Sequence, residues 1–337
     1  MQKKKRIVVV GGGTGTYTVL SGLKKYADAI DISAVVAMTD SGGSTGRLRD
    51  EFGYLPVGDV RMALSALAHE DDESGALVRK LFLHRFASDG DITGHNFGNL
   101  FLVALTDILG SEELAIKAAS KVLRVCGTVI PVTHEKTHLV AEYSDGARIV
   151  GEHHIDEVPT GTVRERIVSL GVTPEVHINS EAVESLQNAD MIVFGPGDLY
   201  TSVLANCVVN GFKDSIQGSK GQTVYISNLM TKAGQTTHMN VTDHVRELER
   251  YIGREPDVVL VNDTVLPPHL LTRYEEEGEY PVNVEGIGLN GAVHRCDLLA
   301  TEEIIRSKGD VLKRSFIRHD SDKLATVLYG LLSEVTR

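Results

Sequence analysis

Cysteine is scarce in this 337-residue chain, with only Cys126, Cys207 and Cys296. An odd, widely spaced set excludes a disulfide framework and any CxxC metal pair, and leaves three reduced, structural thiols as the expectation. Long apolar runs are lacking too. No stretch reaches the roughly 18 apolar residues of a membrane helix. The basic start, Met1–Arg6, precedes only a short apolar run before Gly11, which is too little for a signal-peptide core. A cytoplasmic protein with no membrane span is therefore expected. Positive charge is in deficit, with a formal net charge of −12. No basic footprint of the kind an extended nucleic-acid interface requires stands out, so nucleic acid is not an expected partner. A local pocket for one nucleotide remains compatible with that charge. Nine prolines against 33 glycines suit many strand-to-helix turns and fit neither collagen nor a disordered tail.

What is present reads as α/β. Ile7–Val10 is a β-branched run ended by glycines, a buried parallel strand. Tyr17, Leu20, Leu23 and Tyr26 follow at helical spacing, and Ile32–Met38 is a second apolar run. Together they make a βαβ unit. From about 60 to 125 the pattern turns to a helical block, with Ser111 as the cap of its last helix. From about 128 to 178 it becomes a β-rich excursion, with Ser144-Asp145-Gly146 as a hairpin turn. The α/β alternation resumes with a helix over Glu181–Gln187 capped by Ser180, then strands at Met191–Phe194, Thr223–Ser227 and Val258–Asn262. Asp297–Thr301 is expected to end a late strand, and Asp320–Val335 to close the chain as a helix. Pro267-Pro268 and the acidic stretch Glu275–Glu279 read as a solvated surface excursion. One α/β nucleotide-binding domain over 1–337 accommodates all of this.

Three loops carry the chemistry. Gly11-Gly12-Gly13-Thr14-Gly15 joins the first strand to a helix, where free amides and the helix dipole favour phosphate. Thr16 stands where a strict G-x-G-x-x-G has its third glycine. Thr39–Arg47 follows the second strand. There Asp40 is placed for ribose hydroxyls, Ser41, Gly42 and Gly43 supply donors, and Arg47 suits a phosphate. Gly195-Pro196-Gly197-Asp198-Leu199-Tyr200-Thr201-Ser202 again links a strand to a helix, with Asp198 either a cap or a contact to a sugar hydroxyl or metal. Asn228 ends the next strand on the same edge. Asn96 and Asn99 are ligand contacts or caps of the helix after them.

Three motifs are set aside. His134-Glu135-Lys136-Thr137-His138 spells H-E-x-x-H but sits in strand surroundings, not on a helix. Gly42-Gly43-Ser44-Thr45-Gly46 spells a nucleophile elbow without a discernible triad. No tyrosine has a lysine four residues on, and no Walker motif occurs.

The ordered set Gly11–Gly15, Thr39–Arg47, Gly58-Asp59-Val60-Arg61, His95–Leu100, Gly195–Ser202 and Ser227–Thr231 resembles the gluconeogenesis factor family, the YvcK type within the 2-phospho-L-lactate transferase-like (CofD-like) superfamily. The likeness runs from Ile7 to about Phe316. It implies a doubly wound, mostly parallel Rossmann-like sheet with an added helical block and a β-hairpin region. It implies a regulatory protein that binds UDP-sugars, UDP-N-acetylglucosamine in particular, and can hold NAD or NADP. Its role would lie in growth on gluconeogenic carbon sources and in cell shape and cell-wall homeostasis, with no settled reaction and no assigned catalytic residue. In that reading Gly12, Gly13 and Thr14 hold the diphosphate and Asp40 a ribose. Asn96, Asn99, Asp198 and Asn228 contact the sugar or base, and Gly195, Gly197 and Thr201 are further ligand-binding candidates. The transferase branch suggests an alternative, a Mg²⁺-dependent phosphoester transferase with Asp40 and Asp59 as metal ligands. Ser41-Gly42-Gly43 and Gly197-Asp198 depart from that branch's pattern and count against its deazaflavin substrate. An NAD(P)-binding oxidoreductase is the third reading. A homodimer is the default assembly. The regulatory protein partners are not named by any motif.

Overall fold

Four consecutive β-branched residues, Ile7–Val10, form the middle of β1 (Lys5–Gly11), and none is more than 1% exposed. A strand covered on both faces needs such a continuous apolar run. The computed structural model describes residues 4–70, 72–87, 90–159, 162–285, 288–301 and 316–335, so part of the basic start lies outside it. The further strands are β2 (Ile30–Val36), β3 (Thr128–Pro131), β4 (His138–Tyr143), β5 (Arg148–Val150), β6 (Ile167–Thr173), β7 (Met191–Phe194), β8 (Gln222–Ile226), β9 (Val258–Asn262) and β10 (Ala292–Cys296).

Seven of them make one parallel sheet in the order β10-β9-β8-β7-β1-β2-β3. The chain leaves β1 toward β2 and β3, then returns to build β7 to β10 on the other side. That is the doubly wound arrangement, and its switch point lies between β1 and β7. Helices flank the sheet. The helices Gly58–Leu67, Glu73–Leu83, Phe97–Leu109 and Glu112–Val122 form the block between β2 and β3. Ser111 caps the last of them through the Leu114 amide. β3 itself, at the start of the β-rich region, pairs with β2 in the main sheet. The excursion is the antiparallel sheet β5-β4-β6, and its hairpin turns at Asp145, whose carboxylate accepts the Ala147 amide. The helix Glu152–Asp156 then carries the chain back over the sheet edge.

Several boundaries differ from expectation. Asn179, not Ser180, caps the helix Ser180–Gln187, because the helix begins one residue early and the Asn179 side chain meets the Glu181 amide. Gly43–Phe52 is a helix rather than a continued loop. Its glycine, serine and threonine start has weak helix propensity, overridden by packing at buried Ser44, Thr45 and Leu48. Pro268–Glu275 is a helix begun by proline at its first position, and it buries Leu270 and Tyr274 in a second small core with Leu229, Leu299 and Ile317. The acidic stretch is therefore not all solvated, and Glu279 is buried. The late strand is Ala292–Cys296, and Asp297–Thr301 follows it instead of ending it. The closing helix, Ser321–Glu334, is capped by Asp320. All three cysteines are free. Among the described residues no helix is long and apolar enough to cross a membrane.

Candidate functional site

At the switch point the loops after β1 and β7 diverge, and a cavity of about 950 Å³ opens between them. The two loops touch at its base. A side chain on Gly15 would overlap the Pro196 carbonyl, with its Cβ 2.5 Å from the carbonyl carbon. The cavity extends from there under the helical block on one side and to residues 317–319 on the other.

Two carboxylates stand at its floor. Asp59, in the first turn of Gly58–Leu67, accepts the Gly13 amide at 2.7 Å. Its other oxygen lies where a Cβ on Gly12 would be. Asp40 accepts the Gly42 amide at 2.9 Å and rests against Gly58, where any Cβ would strike its carboxylate and the Thr45 hydroxyl. Each glycine thus seats a neighbouring loop's acid. Burial pushes the Asp59 carboxyl up to about 7, and the Asp40 charge adds to the rise. Asp40 is raised by burial as well, against the pull of the Gly42 amide, Thr45 and Arg61. Glu152, brought in by the helix Glu152–Asp156, is raised well above the usual carboxylate range by burial and then by the charges of Asp40 and Asp156. For Asp59 the neutral and charged forms therefore lie close in energy near neutral pH.

A second wall is built around Lys232. Its ammonium lies 3.6 Å from Asp156 and 3.9 Å from Asp198. Asp198 above all, then Asp156 and Glu279, hold the lysine well above its ordinary pKa. Burial raises Asp198 to about 7 in spite of the lysine. Gln235 donates to Asp156 at 3.0 Å and fixes its position. Asp198 begins the turn Leu199–Val203 without a side-chain capping bond, so its carboxylate serves the cavity wall and not the helix end.

Ser44 sits between these acids and the helical block. Its oxygen takes the Asn96 amide and the Asn99 side-chain amide, each at 3.2 Å, and its hydroxyl hydrogen is left for His95 Nδ1 at 3.1 Å. These three bonds tie the first turn of Gly43–Phe52 to the helical block. Asn96 caps Phe97–Leu109 through the Gly98 and Asn99 amides. Asn99 accepts from Arg61 Nε at 2.8 Å. His134-Glu135-Lys136-Thr137-His138 runs through a loop into β4, so its histidines share no helical face.

Most of the residues singled out in sequence converge here. Gly12, Gly13, Thr14, Asp40, Gly42 and Gly43 line the cavity, as do Asn96, Asn99, Gly197, Asp198, Thr201 and Asn228. Ser41, Arg47 and Gly195 lie outside the lining. Ser41 binds the His153 amide, and Arg47 reaches the Thr93 carbonyl. Glu152, Asp156, Lys232 and His319 line the cavity without belonging to any motif singled out above, and Glu279, from the stretch expected to be solvated, joins them. They arrive singly from separate elements, and only the fold groups them.

Among the described residues no set of three or more His, Cys, Asp or Glu side chains is disposed to hold a metal. Asp40 and Asp59 are two. That suits a Mg²⁺ that arrives with a diphosphate and keeps its waters, not a resident ion in an all-protein cage. Such an ion would neutralise phosphate charge between these carboxylates.

The sequence profile of the family 2-phospho-L-lactate transferase CofD matches residues 7–301. A Thermotoga maritima protein is 42% identical over 325 residues, covering 96% of this chain and 98% of its own. The gluconeogenesis factor of Bacillus subtilis is 38% identical over 338 residues, covering 99% and 100%. The crystal structure of a Bacillus halodurans member of the UPF0052 family superposes with a TM-score of 0.86 at 33% identity, over 98% of this chain and 100% of that one.

Proposed function

The chain belongs to the 2-phospho-L-lactate transferase CofD family, in the branch of the gluconeogenesis factors. From this premise we propose that it is a UDP-sugar-binding regulatory protein, with UDP-N-acetylglucosamine as ligand, serving growth on gluconeogenic carbon sources and cell-shape and cell-wall homeostasis. The observation that carries the reading is the cavity at the switch point, where phosphate-type donors and sugar-type acceptors face each other. Because Asp59 engages the Gly13 amide, the diphosphate would be held by the next donors, Thr14 and the first turn of Gly43–Phe52. Both helices begin without a side-chain cap on the N-cap residue, so their first-turn amides other than that of Gly13 are left for an anion. The wall of Asp156, Asp198 and Glu279 suits sugar hydroxyls, which donate to carboxylates.

A second reading, a Mg²⁺-dependent phosphoester transferase, is favoured by one feature, the Asp40 and Asp59 pair beside the phosphate donors. The test is calorimetric titration with UDP-N-acetylglucosamine, NAD⁺ and NADP⁺, each with and without Mg²⁺, followed by product analysis. UDP-N-acetylglucosamine bound and recovered intact supports the regulator. Magnesium-dependent conversion of the UDP-sugar puts the transferase first. Hydride transfer with either dinucleotide puts an oxidoreductase first. No binding of the UDP-sugar removes the proposal.

A further inference from the structure

His319 is more than nine-tenths buried, lines the C-terminal end of the cavity, and has an Nε2 with no hydrogen-bond partner. Its other ring nitrogen donates to the Ser227 carbonyl, which fixes the tautomer and makes Nε2 an acceptor. Burial drives its pKa down to about 4, against that hydrogen bond, so the ring stays neutral and cannot turn Nε2 into a donor at neutral pH. A buried acceptor left empty is costly, and such a group calls for a donor from a ligand or a water.

The surroundings narrow the choice. Leu229, Met230, Tyr274 and Ile317 give the same end of the cavity apolar surface, with the Tyr274 hydroxyl, Thr231 and Arg318 as its polar neighbours. That hydroxyl is occupied by the Phe316 and Ile317 amides at 2.8 and 3.1 Å. The position is also rigid. His319 bridges Leu299, with the Ala300 amide on Arg318 and the Asp320 amide on Leu298 to either side. A fixed acceptor beside apolar surface, with a few polar groups around it, fits a flat heterocycle with an N–H on its edge.

We propose that this end of the cavity is a nucleobase subsite, and that His319 Nε2 selects bases carrying an imide N–H, uracil above all, over bases with a bare ring nitrogen at that position. The inference rests on the uridine-nucleotide reading of the cavity and adds the residue that reads the base. Asn228, whose amide is held by Tyr225 and the Gly197 carbonyl, borders the subsite on the side of the phosphate loops.

The test is calorimetric titration of the full chain with UDP, N3-methyl-UDP and CDP. The last two lack the N3 hydrogen. Wild type should bind UDP about tenfold or more tightly than either. His319→Phe should lose that preference by weakening UDP alone, and His319→Gln, which offers an acceptor oxygen, should regain part of it. Equal binding of UDP and N3-methyl-UDP by wild type overturns the proposal, and needs no variant to fold. A preference that survives His319→Phe also overturns it. Failure to bind any of the three nucleotides overturns this inference together with the UDP-sugar reading, whereas binding without discrimination overturns this inference alone.

Discussion

Asp59 accepts the amide hydrogen of Gly13 at 2.7 Å, so a carboxylate of the protein already occupies a donor of the first glycine loop. Two helix N-termini, its own and that of Gly13–Leu23, favour its charged form. Burial and Asp40 oppose it and win, which is why the group sits at about 7 instead of its ordinary value of 3.8.

The raised value has a definite sign for stability. The folded chain keeps a proton that the unfolded chain releases, so the stabilisation is full below the unfolded pKa and is lost as pH rises through about 7. Asp59→Asn mimics the protonated form and can still accept the Gly13 amide. It should be more stable than wild type by about 1–3 kcal/mol at pH 8, and the difference should vanish near pH 4. Urea midpoints at the two pH values measure this, and equal midpoints at pH 8 would show that Asp59 is not raised.

Asp40→Ala removes the acceptor that the proposed UDP-sugar reading assigns to ribose hydroxyls. Binding of UDP-N-acetylglucosamine should weaken by about 1–3 kcal/mol, read by calorimetry. An unchanged dissociation constant in a folded variant takes Asp40 out of the site.

Lys232→Met leaves Asp156, Asp198 and Glu279 without their shared cation. The loss should be about 2–4 kcal/mol at neutral pH, tempered because the lysine side chain is 24% exposed. It should shrink toward pH 5, where Asp198, raised to about 7 by burial, takes up a proton. Adding Asp198→Asn should recover part of it. Denaturant titrations of the single and double variants decide the matter, and no recovery in the double variant would separate the lysine from Asp198.

Gly15→Ala tests the junction beneath the cavity. Its Cβ would sit on the Pro196 carbonyl, which is backbone and has nowhere to swing. The variant should lose about 2–4 kcal/mol, visible as a lower melting temperature. A melting temperature equal to wild type would mean that the two loops do not meet there.

How much of this was legible in sequence depended on distance along the chain. The run Ile7–Val10 and the glycines after it announce a strand and its turn within ten residues, and β1 and its loop are found there. The hairpin at Asp145 is local in the same way. The helix Gly43–Phe52 was hidden because its first turn has the composition of a loop, and the packing that holds Ser44 and Thr45 comes from residues 95 to 99. Pro268 did carry a local signal, since proline suits the first turn of a helix, but the acidic residues beyond it read as solvated. Of the acid wall, only Asp198 was marked by its own loop. Asp156, Asp198, Lys232 and Glu279 come from four separate stretches, and nothing in their own neighbourhoods marks them as partners.

The order of the main sheet bears on how the protein is made. β1 is synthesised first yet ends in the middle of the sheet, with β2 on one edge and β7 on the other. While the ribosome works toward Met191, the edge of Ile7–Val10 that will receive β7 is an apolar, unpaired strand border. Such a border recruits the same border on other nascent chains. In the finished fold Met191–Phe194 closes that border, so the protection of β1 depends on a segment far along the chain.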